Sequence, residues 1–198
     1  MKSLAKVKGL LLENKKEPVK LNVGCGTDYK DGWINVDNNS DDNIKKLDLN
    51  WDLTNPLPYK KNSMDFIFNE HFLEHLTVEE GQNAIKDFMR VLKPGGVLRI
   101  AMPDLEVVVN DYSNIPLEKN PVIKRFNIDF VRTRAEWLNM SFRWWGHKWL
   151  YDWEELERRL QEAGCKKIKR QKLKQSSHPE LRNLEIRDES NLIAEVTK

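Results

Sequence analysis

The feature that most constrains the fold is a short apolar segment that runs directly into two glycines. Val19-Lys20-Leu21-Asn22-Val23 has the length and the β-branched content of a strand, and Gly24-Cys25-Gly26 follows it at once. Glycine allows a sharp turn and lets a ligand approach the backbone closely. In open parallel sheets, ligands bind beyond the carboxyl ends of the strands, where the strand order reverses. The segment therefore predicts the first strand of an α/β sheet, with a ligand site at its end.

Strands and helices alternate along the rest of the chain. The strands are predicted at 33–37, within 44–53, and at 64–68, 97–102, 166–174 and 191–197, and the helices at 4–17, 78–92 and from Asp152 to Gly164. Alternating elements indicate a parallel sheet, and a helix followed by two strands suits an antiparallel ending. We therefore predict a Rossmann-like, mostly parallel seven-stranded sheet with an antiparallel last strand.

The connection between the first two predicted strands is unusually short. Only Thr27 to Gly32 separates Gly26 from the strand that begins at Trp33. A parallel crossover ordinarily takes about a dozen residues, most often as a helix. The first crossover helix is therefore predicted to be shortened or missing.

Composition excludes several classes of protein. With 198 residues, 39% hydrophobic and 32% charged, the chain suits one soluble domain, and neither a membrane span nor a signal peptide is expected, so we predict a cytoplasmic protein. Cys25 and Cys165 are too few for a disulfide framework, and without a CxxC pair no metal site is predicted. The net charge is only +2, but basic residues crowd 166–174. They suit either a solvated edge strand or a polyanion-binding patch.

Acidic residues follow the second and third predicted strands. Asp37 stands thirteen residues after Gly24, at the end of the second strand, where a carboxylate can accept hydrogen bonds from ribose hydroxyls. Asp52 or Asp48 lies where the third strand should end, and either carboxylate can accept from an adenine amino group. The backbone amide of Leu53 would then donate a hydrogen bond to a ring nitrogen of the adenine. These positions predict a nucleoside-containing cofactor.

A series of motifs carries a family resemblance. In chain order they are Leu21-Asn22-Val23-Gly24-Cys25-Gly26, Asp37, Asp52, Asn62-Ser63-Met64-Asp65-Phe66-Ile67, Leu73-Glu74-His75-Leu76 and Arg90-Val91-Leu92-Lys93-Pro94-Gly95-Gly96-Val97-Leu98. Over about residues 19–103 this series resembles the class I S-adenosylmethionine (SAM)-dependent methyltransferases. The segments 32–37 and 56–59, with His147 and Tyr151-Asp152 downstream, resemble a bacterial subfamily of predicted methyltransferases often associated with surface-glycan synthesis.

The resemblance implies a cofactor, S-adenosyl-L-methionine, with S-adenosyl-L-homocysteine as its product. The implied cofactor-binding residues are Gly24, Cys25 and Gly26 at the methionine and ribose portions, Asp37 at the ribose, Asp52 and Leu53 at the adenine, and Asn69, Glu70 and His71 at the methionine end. Cys25 would contribute its backbone only. The family usually has an acidic residue where this chain has Asn22.

The resemblance also implies one domain, 1–198, in three parts. Residues 1–103 are the expected cofactor-binding half, 104–150 an acceptor-side insertion rich in tryptophan, and 151–198 the final helix and strand pair. A hydroxyl acceptor needs a base, and the candidate catalytic residues are His147, His71 and Asp104. We favour His147, oriented by Asp152, because a neutral imidazole suits pH 7.

The expected function is methyl transfer from SAM to a small-molecule or glycan acceptor, on an oxygen atom. A nicotinamide enzyme should show G-x-G-x-x-G, and the segment beginning Gly24-Cys25-Gly26-Thr27 lacks its third glycine. A nucleic-acid methyltransferase is an alternative through the basic run at 166–174, although Asn69-Glu70-His71-Phe72 does not match the Asn/Asp-Pro-Pro-aromatic motif common in enzymes acting on base amino groups. A non-catalytic SAM-binding module remains an alternative.

Overall fold

The computed structural model describes residues 18–38 and 43–198. The described residues form seven strands in one sheet. They are β1 (Lys20–Val23), β2 (Ile34–Asp37), β3 (Leu49–Asn50), β4 (Met64–Glu70), β5 (Leu92–Met102), β6 (Lys167–Arg170) and β7 (Leu192–Thr197). The helix predicted over 4–17 lies outside the described residues.

The strand order is β3-β2-β1-β4-β5-β7-β6. β1 pairs in parallel with β2 and β4, whereas β7 runs antiparallel to both β5 and β6. The order reverses at β1, so the carboxyl ends of β1, β2 and β4 meet at the topological switch point. The predicted fold class, including its antiparallel ending, is confirmed.

The described residues also form five α-helices. They are α1 (Val78–Val91), α2 (Leu105–Asn114), α3 (Pro121–Phe126), α4 (Arg134–Arg143) and α5 (Trp153–Glu162). α5 begins where predicted, because the Asp152 side chain accepts a hydrogen bond from the Glu155 amide, and it stops before Gly164 at φ +87°. α2, α3 and α4 occupy the 104–150 segment, for which no helix was predicted.

The sheet buries both of its faces. One face packs against α1 and α5 through residues such as Ile85, Phe88 and Leu160. On the other face, Phe68 and Ile193 pack against Leu181 from the connection between β6 and β7. The 104–150 segment has a small core of its own around Trp137 and Met140.

One strand prediction needs adjustment. β5 begins at Leu92 rather than at Val97, since Leu92 pairs with Met64 before an irregularity shifts the register. β6 lies at the edge of the sheet with exposed basic side chains, so the edge-strand interpretation of the 166–174 run fits its position.

Among the helices of the described residues, none has the length and apolar composition that a membrane span needs.

Candidate cofactor and acceptor site

The glycine segment forms a tight turn over the end of β2. Gly24 has φ +66° and Gly26 has φ +50°, both in the left-handed region that favours glycine. The amides of Gly24 and Cys25 donate to the carbonyl oxygen of Val36, at 2.9 and 3.3 Å. From Gly24 to Trp33, all of it described, the chain contains no helix. The prediction of a missing first crossover helix is therefore confirmed.

The two glycines are required for different reasons. A Cβ on Gly24 would lie 2.7 Å from the ring of Phe72, whereas a Cβ on Gly26 would meet nothing within 4 Å. Gly24 is therefore needed for packing inside the fold. Of the two, Gly26 is the one beside open space, where a ligand has room to approach.

Asp37 lies at the end of β2 and faces the same turn. Its Oδ2 accepts a hydrogen bond from the Gly26 amide at 2.7 Å, and its Oδ1 accepts from the Asn38 amide at 2.7 Å. A carboxylate has about four lone-pair positions, so it can accept further hydrogen bonds from a ligand. The turn and the carboxylate therefore form one rigid unit at the carboxyl edge of the sheet.

The structure separates the two candidates for the third acidic position. Asp48 precedes β3, and its oxygens accept from Asn35 and from the Tyr29 hydroxyl, so it belongs to the strand framework. Asp52 follows β3 at the carboxyl edge, where its exposed side chain accepts from the backbone and side chain of Thr54. The location favours Asp52, followed by the half-buried Leu53, as the adenine contact.

Asn22 is the departure from the family pattern, and its side chain explains the short crossover. Its Nδ2 donates to the carbonyl oxygen of Asp28 at 2.9 Å and to Oδ1 of Asn35 at 3.0 Å. A carboxylate at this buried position has no proton to donate to either acceptor. The amide is thus what holds the crossover segment against β1 in place of a helix.

Cys25 is buried between the two glycines. Burial, together with the negative charge of Asp37, raises the pKa of its thiol to about 12. A thiol of that pKa is protonated at neutral pH and is not a nucleophile. The structure thus gives Cys25 no reactive role.

β4 ends in three polar residues with different surroundings. Asn69 is fully buried, and neither of its side-chain polar atoms has a hydrogen-bond partner among the described residues. The Glu70 carboxylate accepts from the amides of Ile186 and Arg187, at 3.1 Å each, and from the Ser190 hydroxyl. Glu70 therefore holds the 186–190 loop, and its direct contact with the cofactor, as implied by the resemblance, stays a prediction. His71 has φ +52°, which turns the chain away from the strand.

Four ionisable side chains gather beyond β4, and we call them the Glu74 cluster: His71, Glu74, His75 and His147. The Nδ1 atom of His71 lies 3.3 Å from Oε1 of Glu74, and the rings of His75 and His147 lie 5.0 Å apart in an edge-to-face arrangement. The candidates His71 and His147 thus belong to one group of side chains. Glu74 and His75 were not predicted as site residues, although they stand in the quoted motif Leu73-Glu74-His75-Leu76.

Burial controls the charge of this cluster. It raises the pKa of the Glu74 carboxyl to about 8. It lowers the pKa of His71 to about 3 and that of His75 to about 4, with smaller contributions from Arg187 and His147. The pKa of His147 is also lowered by burial. All three imidazoles are therefore neutral at pH 7 and carry a lone pair.

Two predictions for catalytic residues need correction. Both carboxylate oxygens of Asp104 are engaged, since Oδ1 caps α2 at the Glu106 amide and Oδ2 accepts from Arg170 at 2.9 Å. Asp104 therefore caps α2 and pairs with Arg170, and these contacts favour a structural role over that of a base. Asp152 caps α5, whereas Nδ1 of His147 contacts the carbonyl oxygen of Ser141 at 2.7 Å. The expectation that Asp152 orients His147 is wrong.

The 104–150 segment contains an open aromatic pocket. It is lined by Phe130, Val131, Glu136, Asn139, Met140, Arg143 and Trp144, and we call it the Phe130–Trp144 pocket. The rings of Phe130 and Trp144 lie 4.6 Å apart, and Trp144 is 63% exposed. Trp137 is buried in the small core of the segment and Trp153 packs on the main core, so the tryptophans divide between packing and an exposed aromatic surface.

Comparison with known proteins supports the class predicted from the motifs. Residues 21–100 match the family described as "Methyltransferase domain". An uncharacterised protein of Haemophilus influenzae is 41% identical over 59 residues, which are 30% of this chain and 23% of that protein. The chain thus aligns with under a quarter of this relative's length.

Solved structures share the fold. A SAM-dependent methyltransferase from Archaeoglobus fulgidus superposes with a TM-score of 0.56 at 17% identity, over 98% of this chain and 92% of its own. A SAM-dependent methyltransferase from Thermotoga maritima, described as a possible histamine N-methyltransferase, gives 0.53 at 18% identity, over 98% and 86%. The family match and the shared architecture agree with the order of strands and motifs. Residues 21–100 therefore resemble a methyltransferase domain, and the described residues share the fold of solved SAM-dependent methyltransferases.

Proposed function

We propose that the carboxyl edge of β1, β2 and β4 binds SAM and that the protein transfers its methyl group to a small-molecule or glycan acceptor. One observation carries the proposal. The Asp37 carboxylate is held by the Gly26 amide at 2.7 Å, at the switch point of the sheet, and Gly26 faces open space. A fixed acceptor beside an accessible backbone is what ribose hydroxyls require.

The remaining binding roles follow from position. Asp52 and the Leu53 amide lie at the carboxyl edge beyond β3, where they can contact the adenine. Asn69 ends β4 with an unpartnered, buried amide, and a buried polar group of this kind costs free energy unless a partner arrives. It is therefore suited to the polar methionine portion, together with the backbone around His71. Glu70 would support cofactor binding indirectly, because its carboxylate holds the 186–190 loop.

The reaction makes modest demands on the protein. When bound, SAM supplies a methyl group already activated by a positive sulfur atom. The residues of the chain need to align the acceptor with that group and to exclude water, which accounts for much of the acceleration. An oxygen acceptor must also lose its proton. His147 and His71 are the predicted candidates for that role, but burial lowers the pKa of His71 to about 3, which makes its imidazole a weak base at pH 7.

We assign binding of the methyl acceptor to residues 104–150. The Phe130–Trp144 pocket offers ring faces on which a sugar or another ring can stack, and Arg143 lies in its lining, where it can pair with an acidic group. These features support a glycan or a small ring-containing acceptor.

Cofactor binding is the first test. Isothermal titration calorimetry with SAM and with S-adenosylhomocysteine should detect one site, and Asp37→Asn should weaken it by roughly 30- to 150-fold, or ~2–3 kcal/mol. Asp31→Asn is the matched control. It removes the same charge from an exposed residue near the same turn, where Asp31 contacts Lys46 at 3.6 Å. No binding to the wild type, or equal binding by the two variants, would contradict the proposal.

Methyl transfer is tested separately. Incubation with methyl-labelled SAM and a panel of sugars, nucleotide sugars and phenols should label at least one acceptor. Trp144→Ala should reduce labelling without changing the affinity for SAM, because the Phe130–Trp144 pocket belongs to the insertion. SAM binding without transfer to any acceptor would instead favour a non-catalytic SAM-binding module.

A further inference from the structure

Three side chains of the Glu74 cluster converge on one point. Glu74, His75 and His147 each offer one ligand atom, and these atoms all lie within 4.8 Å of one another. Glu74 and His75 belong to the short 3-10 turn after β4, and His147 lies 72 residues later, at the end of the insertion. The backbone fastens the two segments together, because the carbonyl oxygen of Glu74 accepts from the amides of Lys148 and Trp149, at 2.7 and 3.2 Å.

The Glu74 carboxylate is the first sign of a missing ligand. It is 0% exposed, and neither of its oxygens has a hydrogen-bond partner among the described residues. The recorded polar neighbour is Nδ1 of His71, which lies 3.3 Å from Oε1 without forming a hydrogen bond. Buried carboxylates are ordinarily paired with a cation or coordinate a metal. The side chain is therefore placed to accept a positive partner.

The orientation of His147 is an independent second sign. Its Nδ1 lies 2.7 Å from the carbonyl oxygen of Ser141. A carbonyl oxygen only accepts hydrogen bonds, so Nδ1 carries the proton and Nε2 keeps its lone pair. An imidazole that donates one N–H to a backbone carbonyl and presents its other nitrogen is the usual arrangement of a metal ligand.

We propose that Glu74, His75 and His147 bind one divalent transition-metal ion of the zinc class. Two imidazole nitrogens and one carboxylate favour such an ion over Mg²⁺ or Ca²⁺, which prefer oxygen ligands. Ligand atoms around tetrahedral zinc lie about 3.4 Å apart, so atoms that lie within 4.8 Å of one another need to close by at most about 1.4 Å when the ion enters. Three protein ligands leave at least one position open for water or a substrate.

The role of the ion rests on the proposed function. The site lies directly after β4, next to the strand end assigned to the methionine portion of SAM. A hydroxyl group bound at the open position would lose its proton more readily, since a metal ion lowers the pKa of a bound oxygen. As a ligand, His147 is no longer the proton acceptor, and the proton released from the bound hydroxyl would pass to solvent water.

Metal binding can be measured without any activity. The chelator-treated protein is titrated with Zn²⁺ in a calorimeter, and we expect one equivalent to bind. Glu74→Gln and His147→Ala should each lower the affinity by more than the ~10- to 100-fold typical of losing an outer partner of a ligand. His178→Ala is the matched control, because this fourth histidine packs against Phe66 on the other face of the sheet and should leave Zn²⁺ binding unchanged.

The absorption spectrum of the Co²⁺-loaded wild-type protein identifies the metal ligands without relying on variants that could misfold. Co²⁺ added to the wild-type protein should give visible bands of a nitrogen- and oxygen-ligated ion, without the near-ultraviolet band of a cobalt–thiolate bond. A thiolate band, an affinity unaffected by Glu74→Gln in a folded variant, or no binding to the wild type would each overturn the proposal. SAM titration of the metal-free protein separates the two hypotheses, since SAM binding without Zn²⁺ binding rejects the metal site alone.

Discussion

Substitution of Gly24 tests the interpretation that its lack of a side chain serves the packing of the fold. In Gly24→Ala the new methyl group would lie 2.7–2.8 Å from three atoms of the Phe72 side chain. The residue also has φ +66°, a conformation that alanine rarely adopts. Phe72 is itself buried and packs against Phe88, with ring centroids 6.3 Å apart, so it has little room to move.

The two effects can be given magnitudes. Placing a residue other than glycine in the left-handed region costs ~1–2 kcal/mol. Forcing an extra methyl group into a packed core costs a further ~1–3 kcal/mol. Gly24→Ala should therefore lower the free energy of unfolding by about 2–5 kcal/mol. Gly26→Ala has the conformational cost only, since its methyl group would meet nothing within 4 Å.

The assay compares the two variants by urea unfolding without SAM. The difference between them isolates the packing effect, about 1–3 kcal/mol, or roughly 2–12 °C in melting temperature for a domain of this size. Gly26→Ala should instead weaken SAM binding, because its methyl group projects into the space proposed for the cofactor. Equal stability of the two variants would refute the reasoning about Phe72.

A double-mutant cycle with Phe72→Ala identifies the contact itself. Alone, Phe72→Ala should cost ~3–5 kcal/mol as a cavity-forming substitution. In the Gly24→Ala background it should cost less by about the packing effect, because removing the ring relieves the overlap. Additive costs in the cycle would show that the methyl group and the ring do not meet.

Three further substitutions and treatments probe other parts of the structure. Cys25 and Cys165 are buried, and their pKa values are raised to about 12 and about 11. Iodoacetamide at pH 8 should therefore label the folded protein slowly and the urea-unfolded protein fast. Rapid labelling of the folded protein would contradict the burial of the two thiols. Asp104→Ala should lower the free energy of unfolding by about 1–2 kcal/mol in urea, since it removes the cap of α2 and the partner of Arg170; unchanged stability would reopen a catalytic role. Arg99→Met should cost ~3–5 kcal/mol in the same assay by leaving two buried carboxylates without their cation, and a stable variant would show that they need none.

The sheet was predictable because its signals are local. Buried parallel strands are short apolar runs, and each is followed by a turn or a helix whose start and stop residues stand in the sequence, as at Asp152 and Gly164. The missing first helix was predictable from length alone. What replaces it was not, because the hydrogen bonds of Asn22 to Asp28 and Asn35 depend on the fold bringing the three residues together.

The 104–150 segment was harder to predict because its helices are only weakly amphipathic. α4 mixes polar and apolar residues, and its core contacts come from Trp137 and Met140 within the insertion itself. The sequence does contain one signal for the start of α4. Thr133 and Glu136 form a reciprocal capping box at the start of α4, a pattern visible in the sequence as Thr-x-x-Glu.

The polar residues at the strand ends show how far position along the chain predicts a role. The motif order located Asp37 and Gly26 at one edge of the sheet, since residues at the carboxyl ends of neighbouring parallel strands must meet. The family resemblance assigned Glu70 to the cofactor, but its carboxylate accepts hydrogen bonds from the 186–190 loop, more than a hundred residues away. Which hydrogen-bond partners a side chain has depends on tertiary contacts, and strand order alone does not specify those contacts.

The Glu74 cluster depends on such a contact. Glu74 and His75 occur in a motif that defines a turn, and a buried glutamate without a partner is unfavourable there unless something else completes it. The 104–150 segment supplies the third ligand of the proposed ion, because the amides of Lys148 and Trp149 donate to the Glu74 carbonyl and His147 directly precedes them. Because the same segment also contains the Phe130–Trp144 pocket, a rearrangement of the whole segment would affect both the proposed acceptor surface and the third ligand of the proposed ion. The chemistry available beyond β4 is thus determined jointly by the turn that follows the strand and by an insertion that the motif series does not reach.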